Sequence, residues 1–245
     1  MAQYLLIDIS NSFTKLAFSS PAKIAKSSRI PTAKLSARYV RELLGRGKID
    51  MVIVSSVVPK KDRVIRAAAG KTKILWINAR TNLGVGIDYP NRKTIGADRL
   101  ANAAAVAELF GYPAIVVDFG TAVTFDIVSE DRQYIGGVIA PGLEAMTNFL
   151  YQRTALLPKL SLKEPRRAIG RSTIEAMRAG AIFGYRGLVR EILQRIMAER
   201  FARRKVRVIA TGGYAGLIAR QLPEIEAVHP NLTLEGLRIV ANLNQ

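Results

Sequence analysis

The strongest constraint on the fold of this chain is a motif that occurs twice, at a spacing close to half of its 245 residues. Each copy is an apolar run that ends in Asp, followed by a tight turn of small and polar residues and a second strand-like run. The copies read Asp8-Ile-Ser-Asn11-Ser12-Phe-Thr-Lys15 and Asp118-Phe-Gly120-Thr121-Ala122-Val-Thr124. The pattern predicts a duplicated fold with two phosphate-binding hairpins that face one cleft.

The composition predicts an ordered protein of one large or two small domains, because 49% of its residues are hydrophobic and 23% are charged. The sequence contains no cysteine, which excludes disulfides, thiolate zinc sites and a cysteine nucleophile. The one histidine, His229, leaves little room for a histidine metal site or a Ser-His-Asp triad. Its position beside Pro230 favours a solvated loop residue.

The formal charge of +18 favours acidic partners such as nucleotides, nucleic acid or anionic membrane. The basic clusters are short and lack interleaved aromatics, which argues against a dedicated nucleic-acid surface and favours a solvated basic exterior. They are Lys60-Lys61, Arg166-Arg167 and Arg203-Arg204-Lys205. No basic leader precedes Asp8, and no apolar run reaches the roughly 18 residues that span a bilayer. We therefore expect a cytoplasmic protein without membrane association.

The hydrophobic periodicity predicts strands and helices in hairpin-then-crossover order in both halves of the chain, an α/β fold with mixed sheets flanked by helices. Predicted strands are Tyr4–Ile9, Thr14–Phe18, Met51–Val58, Lys73–Ile77, Ala114–Asp118, Val123–Val128, Tyr134–Ile139 and Val206–Ala210. Predicted helices are Ser36–Gly47, Val64–Ala69, Arg99–Phe110, Leu143–Leu150, Ser172–Ala198 with interruptions near Gly180 and Gly184, Ala215–Gln221, and a last helix from about Glu235. Gly111-Tyr112-Pro113 stops a helix, and we place the boundary of two domains there, 1–112 and 113–245.

The Asp8 motif combines a carboxylate, turn amides and hydroxyls, and the ammonium of Lys15. An Asp that ends a strand lies at the sheet edge where α/β proteins place ligands, and it can hold a hydrated cation while turn amides bind phosphate. An Asp that only caps its own turn is an equally good interpretation of one copy. The Asp118 motif is more specific, because Gly120 permits close approach of a phosphate to the backbone and hydroxyl side chains follow it.

Two further motifs extend this chemistry. The small residues of Ala210-Thr211-Gly212-Gly213 follow a strand and would let adenine or ribose approach the backbone, although any tight turn could use them. Asp98, in Ile95-Gly96-Ala97-Asp98-Arg99, can accept a hydroxyl proton beside an arginine that binds a carboxylate, or it can be a helix N-cap. Gly70-Lys71-Thr72 resembles the end of a P-loop, but Ile65 stands where the first Gly is required, which indicates a surface turn.

These motifs, in this order, resemble type III pantothenate kinase, a family of the acetate and sugar kinase/Hsp70/actin superfamily with duplicated ribonuclease-H-like (actin-like ATPase) domains. The resemblance extends over nearly the whole chain. It includes Gly136-Gly137-Val-Ile-Ala-Pro141-Gly142-Leu143 with Met146, Gly170-Arg171-Ser172-Thr173, and Leu232-Thr-Leu-Glu235-Gly236-Leu237. It implies ATP-dependent phosphorylation of pantothenate to 4'-phosphopantothenate, the first step of coenzyme A biosynthesis.

The resemblance also implies site residues, cofactors and an oligomeric state. Asp98 matches the catalytic proton acceptor, and Asp118 matches the ligand of a monovalent cation, K⁺ or NH₄⁺. ATP binding falls to Asp8, Ile9, Ser10, Asn11, Ser12, Phe13, Thr14, Lys15 and Thr121, and pantothenate binding to Tyr89, Gly96, Ala97, Asp98, Arg99 and Thr173. The family is a homodimer that needs Mg²⁺, and we expect the glycine-containing helix Ile174–Met197 to form part of the dimer surface, with an ordinary core helix as the alternative.

One position departs from the family pattern, since Ser10 stands where the first loop normally has glycine. If this position requires a positive φ, Ser10 is strained and ATP binding is weakened. Two other functions remain open at this point. One is a non-enzymatic regulatory or nucleic-acid-binding protein on the same fold, suggested by the +18 charge. The other is a related kinase with another small hydroxylated substrate.

Overall fold

The computed structural model describes residues 3–202 and 204–245, and the chain divides into two compact units. Unit 1 contains the chain up to Tyr112 together with Val128–Gly136 and Asn231–Gln245, and unit 2 contains Pro113–Ile127 and Gly137–Pro230. The first change of unit lies at the predicted boundary after residue 112. Residues 128–136 and 231–245 group with unit 1, whereas the prediction assigned them to the second half.

The described residues form strands and helices in alternating groups. The strands are β1 Tyr4–Ile9, β2 Phe13–Ser19, β3 Ser28–Pro31, β4 Met51–Ser56, β5 Lys73–Trp76, β6 Gly86–Ile87, β7 Ala114–Phe119, β8 Ala122–Val128, β9 Gln133–Pro141, β10 Arg207–Thr211 and β11 Ala227–Val228. The helices are α1 Ala37–Leu44, α2 Pro59–Ala69, α3 Ala97–Leu109, α4 Leu143–Arg153, α5 Thr173–Ile196, α6 Ala215–Ile218 and α7 Leu232–Leu243.

The sheet of unit 1 has the order β3-β2-β1-β4-β5. β2 is antiparallel to both β1 and β3, whereas β4 is parallel to β1 and β5 is parallel to β4. All six residues of β1 are buried, as expected for a continuous apolar run at the centre of a sheet that helices cover. Because β1 and β4 are parallel, their carboxyl ends lie at the same edge of the sheet.

The sheet that contains the unit 2 strands has the order β11-β10-β7-β8-β9-β6. Its first five strands repeat the order of unit 1, with β7 in the place of β1 and β10 in the place of β4, and β10 is again parallel to the central strand. β6 adds to this sheet by pairing with residues 133 and 134 of β9. The predicted α/β fold with mixed sheets and flanking helices is confirmed.

Two helices of unit 1 pack closely because one residue has no side chain. Gly236 of α7 lies against the backbone of Ala101 in α3, where a Cβ would overlap the Ala101 carbonyl. Thr233 of α7 donates a hydrogen bond to Asn102 Oδ1 at 2.9 Å. The alanine-rich α3 is buried over Leu100–Ala107, and its small side chains allow this close packing.

The structure corrects several boundaries. α5 is continuous, so the predicted interruptions at Gly180 and Gly184 are wrong: a long helix tolerates isolated glycines when one face is buried, here including Ile182, Tyr185 and Val189. Three short strands, β3, β6 and β11, were missed because segments of two to four residues carry little periodic signal. Within the described ranges, every helix is too short or too polar to cross a bilayer.

Candidate active site

The first predicted phosphate loop connects β1 and β2 in unit 1. Asp8 is only 6% exposed, and it is in register with Lys15 on β2 and with Ser55 on β4. Residues in register on neighbouring strands present their side chains on the same face. A row of ammonium, carboxylate and hydroxyl groups therefore crosses the sheet at the end of β1.

Hydrogen bonds to Thr32 hold the turn of this loop. The hydroxyl of Thr32 donates to the Ser10 carbonyl at 2.6 Å, and its backbone N–H donates to the Ser12 carbonyl at 3.1 Å. The Thr32 and Thr14 hydroxyls are also 3.0 Å apart. Asn11, Ser12 and Phe13 stay exposed at the tip. The loop is therefore tied down at its base and open at its tip, as a phosphate loop requires.

Ser10 does not occupy the strained conformation that the sequence allowed. Among the described non-glycine residues, positive φ values occur only at Arg132 and Ala202. The N–H of Ser10 donates to the Phe13 carbonyl at 3.1 Å within an ordinary turn. The replacement of glycine at this position therefore carries no backbone strain.

The end of β4 brings the Gly96–Arg99 segment to the edge of the sheet where β1 ends. The Val57 N–H donates to the Ile9 carbonyl at 3.0 Å. The Val57 Cγ1 atom lies 3.5 Å from the place where Gly96 would carry a Cβ. The structure thus brings two predicted site segments of unit 1 to the same edge of its sheet.

Asp98 lies in the first turn of α3, and Gly96 rather than Asp98 is the N-cap residue. Its Oδ1 accepts a hydrogen bond from the Arg99 N–H at 2.8 Å and lies 2.5 Å from the position of a Cβ on residue 96. Glycine at position 96 therefore leaves the space that the carboxylate occupies. The first turn of α3 also carries the positive end of the helix dipole, which attracts a negatively charged side chain.

A pair of tyrosine rings lies next to Arg99, with one ring in contact distance of its guanidinium. The Arg99 guanidinium lies 5.7 Å from the centre of the Tyr134 ring, and the Tyr89 and Tyr134 rings meet edge to face at 6.2 Å. Gly136 has φ 126° and faces Tyr89, whose Cε2 lies 3.4 Å from the position of its Cβ. Tyr134 is a member of this group that the sequence did not indicate, because it reads as a core strand residue.

The second predicted phosphate loop, between β7 and β8, lies in unit 2. Asp118 is in register with Thr211 on β10. Gly212 has φ 94°, and a Cβ there would lie 2.5 Å from Asp118 Oδ1 and 2.6 Å from the Phe119 backbone. The Gly-Gly turn after β10 therefore packs directly against the Asp118 loop, and only glycine fits at position 212.

Thr121, at the tip of this loop, is exposed, and its carbonyl accepts a hydrogen bond from the Gly142 N–H at 3.2 Å. A Cβ on Gly142 would lie 2.7 Å from the Gly120 carbonyl oxygen, so the Pro141-Gly142 turn also packs on the loop. Thr173 is the exposed first residue of α5, which Ser172 caps by accepting a hydrogen bond from the Glu175 N–H. Asp8, Tyr89 and Gly96–Arg99 thus lie in unit 1, and Asp118, Thr121 and Thr173 lie in unit 2.

Two buried hydroxyls lie beside the carboxylates of the two loops. The sequence analysis did not name Ser55, and it named Thr211 only within the Ala210–Gly213 motif, not as a neighbour of Asp118. Ser55 Oγ and Thr211 Oγ1 are fully buried and have no hydrogen-bond partner in the described structure. Ser55 is in register with Asp8, and Thr211 with Asp118. Only the strand register identifies them as neighbours of the carboxylates.

Titration in unit 2 is perturbed at two places away from this loop. The Arg186 guanidinium hydrogen-bonds both carboxylate oxygens of Glu164, at 2.8 and 2.7 Å, and lowers the pKa of Glu164 below its ordinary value of 4.5. Burial raises the pKa of Tyr185, whose hydroxyl donates to the Pro141 carbonyl at 3.2 Å. Both groups therefore stay in one protonation state near neutral pH, as structural groups do.

The strand order and the two loops define a class of protein. Each unit has a central strand whose second-last residue is Asp, a short turn, and a parallel neighbour that ends in hydroxyl-bearing residues. Loops of this kind suit a kinase, because phosphoryl transfer needs positioned charge more than covalent chemistry. The ethanolamine utilization protein EutJ from Carboxydothermus hydrogenoformans has a similar fold, with a TM-score of 0.57 at 13% identity over 98% of this chain and 90% of that one.

A second solved structure with this fold is inorganic polyphosphate/ATP-glucomannokinase from Arthrobacter, with a TM-score of 0.55 at 16% identity over all of both chains. Residues 4–195 match the family model of type III pantothenate kinase. A type III pantothenate kinase of Akkermansia muciniphila is 49% identical over 98% of this chain and 99% of its own length, and one of Methylacidiphilum infernorum is 41% identical over 98% and 88%. The chain belongs to the type III pantothenate kinase family.

Proposed function

We propose that this protein carries out the reaction of its family, transfer of the γ-phosphoryl group of ATP to the primary hydroxyl of pantothenate, with Asp98 as the proton acceptor. The observation that carries the proposal is the position of Asp98 in unit 1. Its carboxylate lies in the first turn of α3, at the edge of the sheet where β1 ends and the Asp8 loop begins. This arrangement supports a base next to a phosphate loop, the pairing that phosphoryl transfer to a hydroxyl requires.

Pantothenate binding in unit 1 is assigned to Tyr89 and Gly96–Arg99. The carboxylate of pantothenate offers a partner for the Arg99 guanidinium, which can bind both oxygens at once. The ring of Tyr134 limits the directions in which that guanidinium can point. In unit 2, the exposed Thr173 hydroxyl is assigned a further contact with pantothenate.

ATP binding is assigned to the Asp8–Lys15 loop of unit 1 and to Thr121 of unit 2. Lys15 supplies positive charge for phosphate oxygens, and Asn11 and Ser12, which are exposed residues, supply backbone N–H groups for them. The glycine-lined turns at Gly142 and Gly212 give the unit 2 loop the close packing that positions Thr121.

The cations of the family fit the residues that are present. Among the described residues, no group of three or more acidic or histidine side chains could hold a metal, but Mg²⁺ commonly uses only one or two carboxylates together with water and phosphate. Asp8 would hold Mg²⁺ and Asp118 would hold K⁺ or NH₄⁺. The unpartnered buried hydroxyl beside each carboxylate supports a missing polar ligand at both places. Bound there, the cations would neutralise the charge of the phosphates.

A homodimer is the proposed assembly, with α5 in its interface. Gly180, Gly184 and Gly187 have open space where a Cβ would be, so packing within unit 2 does not require glycine at these positions. Phe183 and Ile174 on the same helix are 40% and 46% exposed. Small and apolar residues on an exposed helical face favour contact with a second copy of the chain.

The experiment that tests the reaction is ATP turnover with pantothenate, Mg²⁺ and K⁺, measured through coupled ADP formation. Wild-type protein should turn over, and Asp98→Asn should lower kcat by about 10²-fold or more because the base is lost. Asp131→Asn, which changes an exposed carboxylate of the same unit, should leave kcat unchanged.

Three outcomes would count against the proposal. No turnover by the wild type, or undiminished turnover by Asp98→Asn, would contradict it directly. Turnover with another small hydroxylated acid or sugar but none with pantothenate would retain the kinase class and change the substrate.

A further inference from the structure

Two buried hydroxyls differ from most others among the described residues. Ser55 Oγ and Thr211 Oγ1 are fully buried without a hydrogen-bond partner. Other buried hydroxyls in the chain are paired: Thr14 with Thr32 at 3.0 Å, Thr233 with Asn102 at 2.9 Å, and Thr147 with the Leu143 carbonyl at 3.2 Å. Because a buried hydroxyl without a partner destabilises the fold, these two positions require an explanation.

The two hydroxyls occupy equivalent positions in the two units. Ser55 lies on β4, in register with Asp8 at the end of β1, and Thr211 lies on β10, in register with Asp118 at the end of β7. β4 and β10 have the same place in the repeated strand order. A packing defect would not be expected to recur at the same position in both sheets, each time beside the carboxylate at the strand end.

The register also determines the direction of each hydroxyl. Paired residues on neighbouring parallel strands present their side chains on the same face of the sheet, so each hydroxyl accompanies its carboxylate. Gly212, directly after Thr211, already lies against Asp118 Oδ1. Each unit therefore offers a carboxylate and a hydroxyl oxygen next to one another, and hard cations bind oxygen ligands of these types.

We propose that Ser55 and Thr211 are cation-positioning residues, each completing the oxygen set beside a strand-end carboxylate. Thr211 Oγ1 coordinates the monovalent cation held by Asp118, and Ser55 Oγ hydrogen-bonds a water of the hydrated divalent cation held by Asp8. The identity of the two cations rests on the proposed function. The hydroxyls lack protein partners because their partners are the cation and its water.

The test uses variants that remove only the hydroxyl, Thr211→Val and Ser55→Ala, in the full chain. Without ligands, both variants should melt at or above the wild-type temperature, because an unpartnered buried hydroxyl is replaced by apolar atoms. Thr211→Val should then need about tenfold or more K⁺ for the same thermal stabilisation, and Thr211→Ser should retain the wild-type K⁺ response. Ser55→Ala should raise the Kd of Mg²⁺ with a non-hydrolysable ATP analogue by a similar factor, without changing the K⁺ response.

The matched controls are Thr147→Val in unit 2 and Thr233→Val in unit 1, whose hydroxyls have protein partners. Both should lower the melting temperature and leave the ligand responses unchanged. If Thr211→Val behaves like Thr147→Val, or if no monovalent cation shifts the wild-type melting temperature, the Thr211 assignment is overturned. An unchanged Kd in Ser55→Ala overturns the Ser55 assignment.

These readouts separate the inference from the proposed reaction. A wild type that fails to phosphorylate pantothenate but loses its K⁺ stabilisation in Thr211→Val would contradict the reaction and support the positioning role. A wild type that phosphorylates pantothenate, with Thr211→Val and Ser55→Ala unchanged in cation and nucleotide binding, would support the reaction and contradict the positioning role.

Discussion

Arg186 shows how one side chain can organise its surroundings. It is 5% exposed, and it donates hydrogen bonds to Glu164 and to the carbonyls of Leu217 and Ile218 near the end of α6. A buried guanidinium destabilises a fold unless its charge and its N–H groups are matched. Glu164 supplies the charge and the α6 carbonyls supply acceptors, so this residue connects three segments of unit 2.

Replacement of Glu164 by Gln should destabilise the protein by about 1 kcal/mol at neutral pH, a modest value because the Glu164 side chain is half exposed and water screens the pair. The pKa of Glu164 is lowered in the folded state, so its contribution is present above the ordinary value of 4.5 and is lost as the pH falls through the folded-state pKa. The difference between wild type and Glu164→Gln should therefore be constant from pH 5.5 to 7 and shrink below about pH 4.5.

Urea unfolding of both proteins across this pH range measures the difference. Glu42→Gln is the matched control, because Glu42 pairs with an exposed arginine on α1 and should contribute about 0.5 kcal/mol or less. A Glu164→Gln difference that persists unchanged at pH 3.5 would show that the charge of Glu164 is not its cause.

At the scale of elements, the turn after β10 and the loop after β7 depend on each other. Gly212 lies against Asp118 and Phe119, and the Tyr214 N–H donates to the Phe119 carbonyl at 3.3 Å. The turn therefore packs closely against the Asp118 carboxylate. The corresponding contact in unit 1 is made by the backbone of Val57 with Ile9, so both predicted phosphate loops are supported from the neighbouring parallel strand.

Gly212→Ala should destabilise the protein by about 2 kcal/mol or more, because a Cβ is strained at φ 94° and overlaps the Asp118 loop. Guanidinium unfolding of the full chain measures the loss. Gly216→Ala, four residues later in α6 where a Cβ meets open space, should be neutral or stabilising by up to about 1 kcal/mol. Equal stability of the two variants would contradict the packing described for Gly212.

At the scale of the whole molecule, charge and exposed apolar surface have different consequences. The net charge of +18 suits a protein whose proposed ligands are anionic, without requiring a nucleic-acid partner. The exposed apolar side chains of α4 and α5 include Phe149 at 58% and Phe183 at 40%. Exposed apolar side chains of this size favour association with another protein surface, here a second copy of the chain.

Gly184→Leu should weaken the proposed homodimer by about tenfold or more in Kd, because a large side chain is placed on the exposed face of α5. Sedimentation equilibrium of wild type and variant measures this Kd. Ala67→Leu, on the exposed face of α2, is the matched control and should leave the Kd unchanged. A wild type that is monomeric at micromolar concentration, or a dimer that Gly184→Leu leaves intact, would exclude α5 from the interface.

Long apolar strands and strongly periodic helices could be predicted from the sequence, and short edge strands could not. β1, β4 and β7 are continuous apolar runs, so their place at the centre of a sheet follows from composition alone. β6 and β11 have two residues each and form only because a longer strand is available for pairing. The interruption predicted in α5 failed for a similar reason, since burial of one face outweighs the low helix propensity of glycine.

For the candidate site, the sequence predicted the residue types and their motifs, but not which residues of other strands lie next to them. Asp8, Asp98 and Asp118 stand out because carboxylates end apolar runs or begin a helix. Ser55 and Tyr134 lie within or at the end of apolar strands and were not named from the sequence, and Thr211 was named without its neighbour Asp118. The absence of backbone strain at Ser10 could not be predicted from the sequence either, because its φ depends on the turn that Thr32 holds.

The sequence by itself determined the α/β class, the repetition of the Asp-ended hairpin and the chemical groups of the site, because hydrophobic pattern and residue type are local properties. Only the tertiary structure decided that Ser55 accompanies Asp8, that Thr211 and Gly212 accompany Asp118, and that Val57 lies beside Gly96. These relations depend on strand register and backbone approach between distant segments. Such contacts form only when the whole core packs, so no local pattern encodes them.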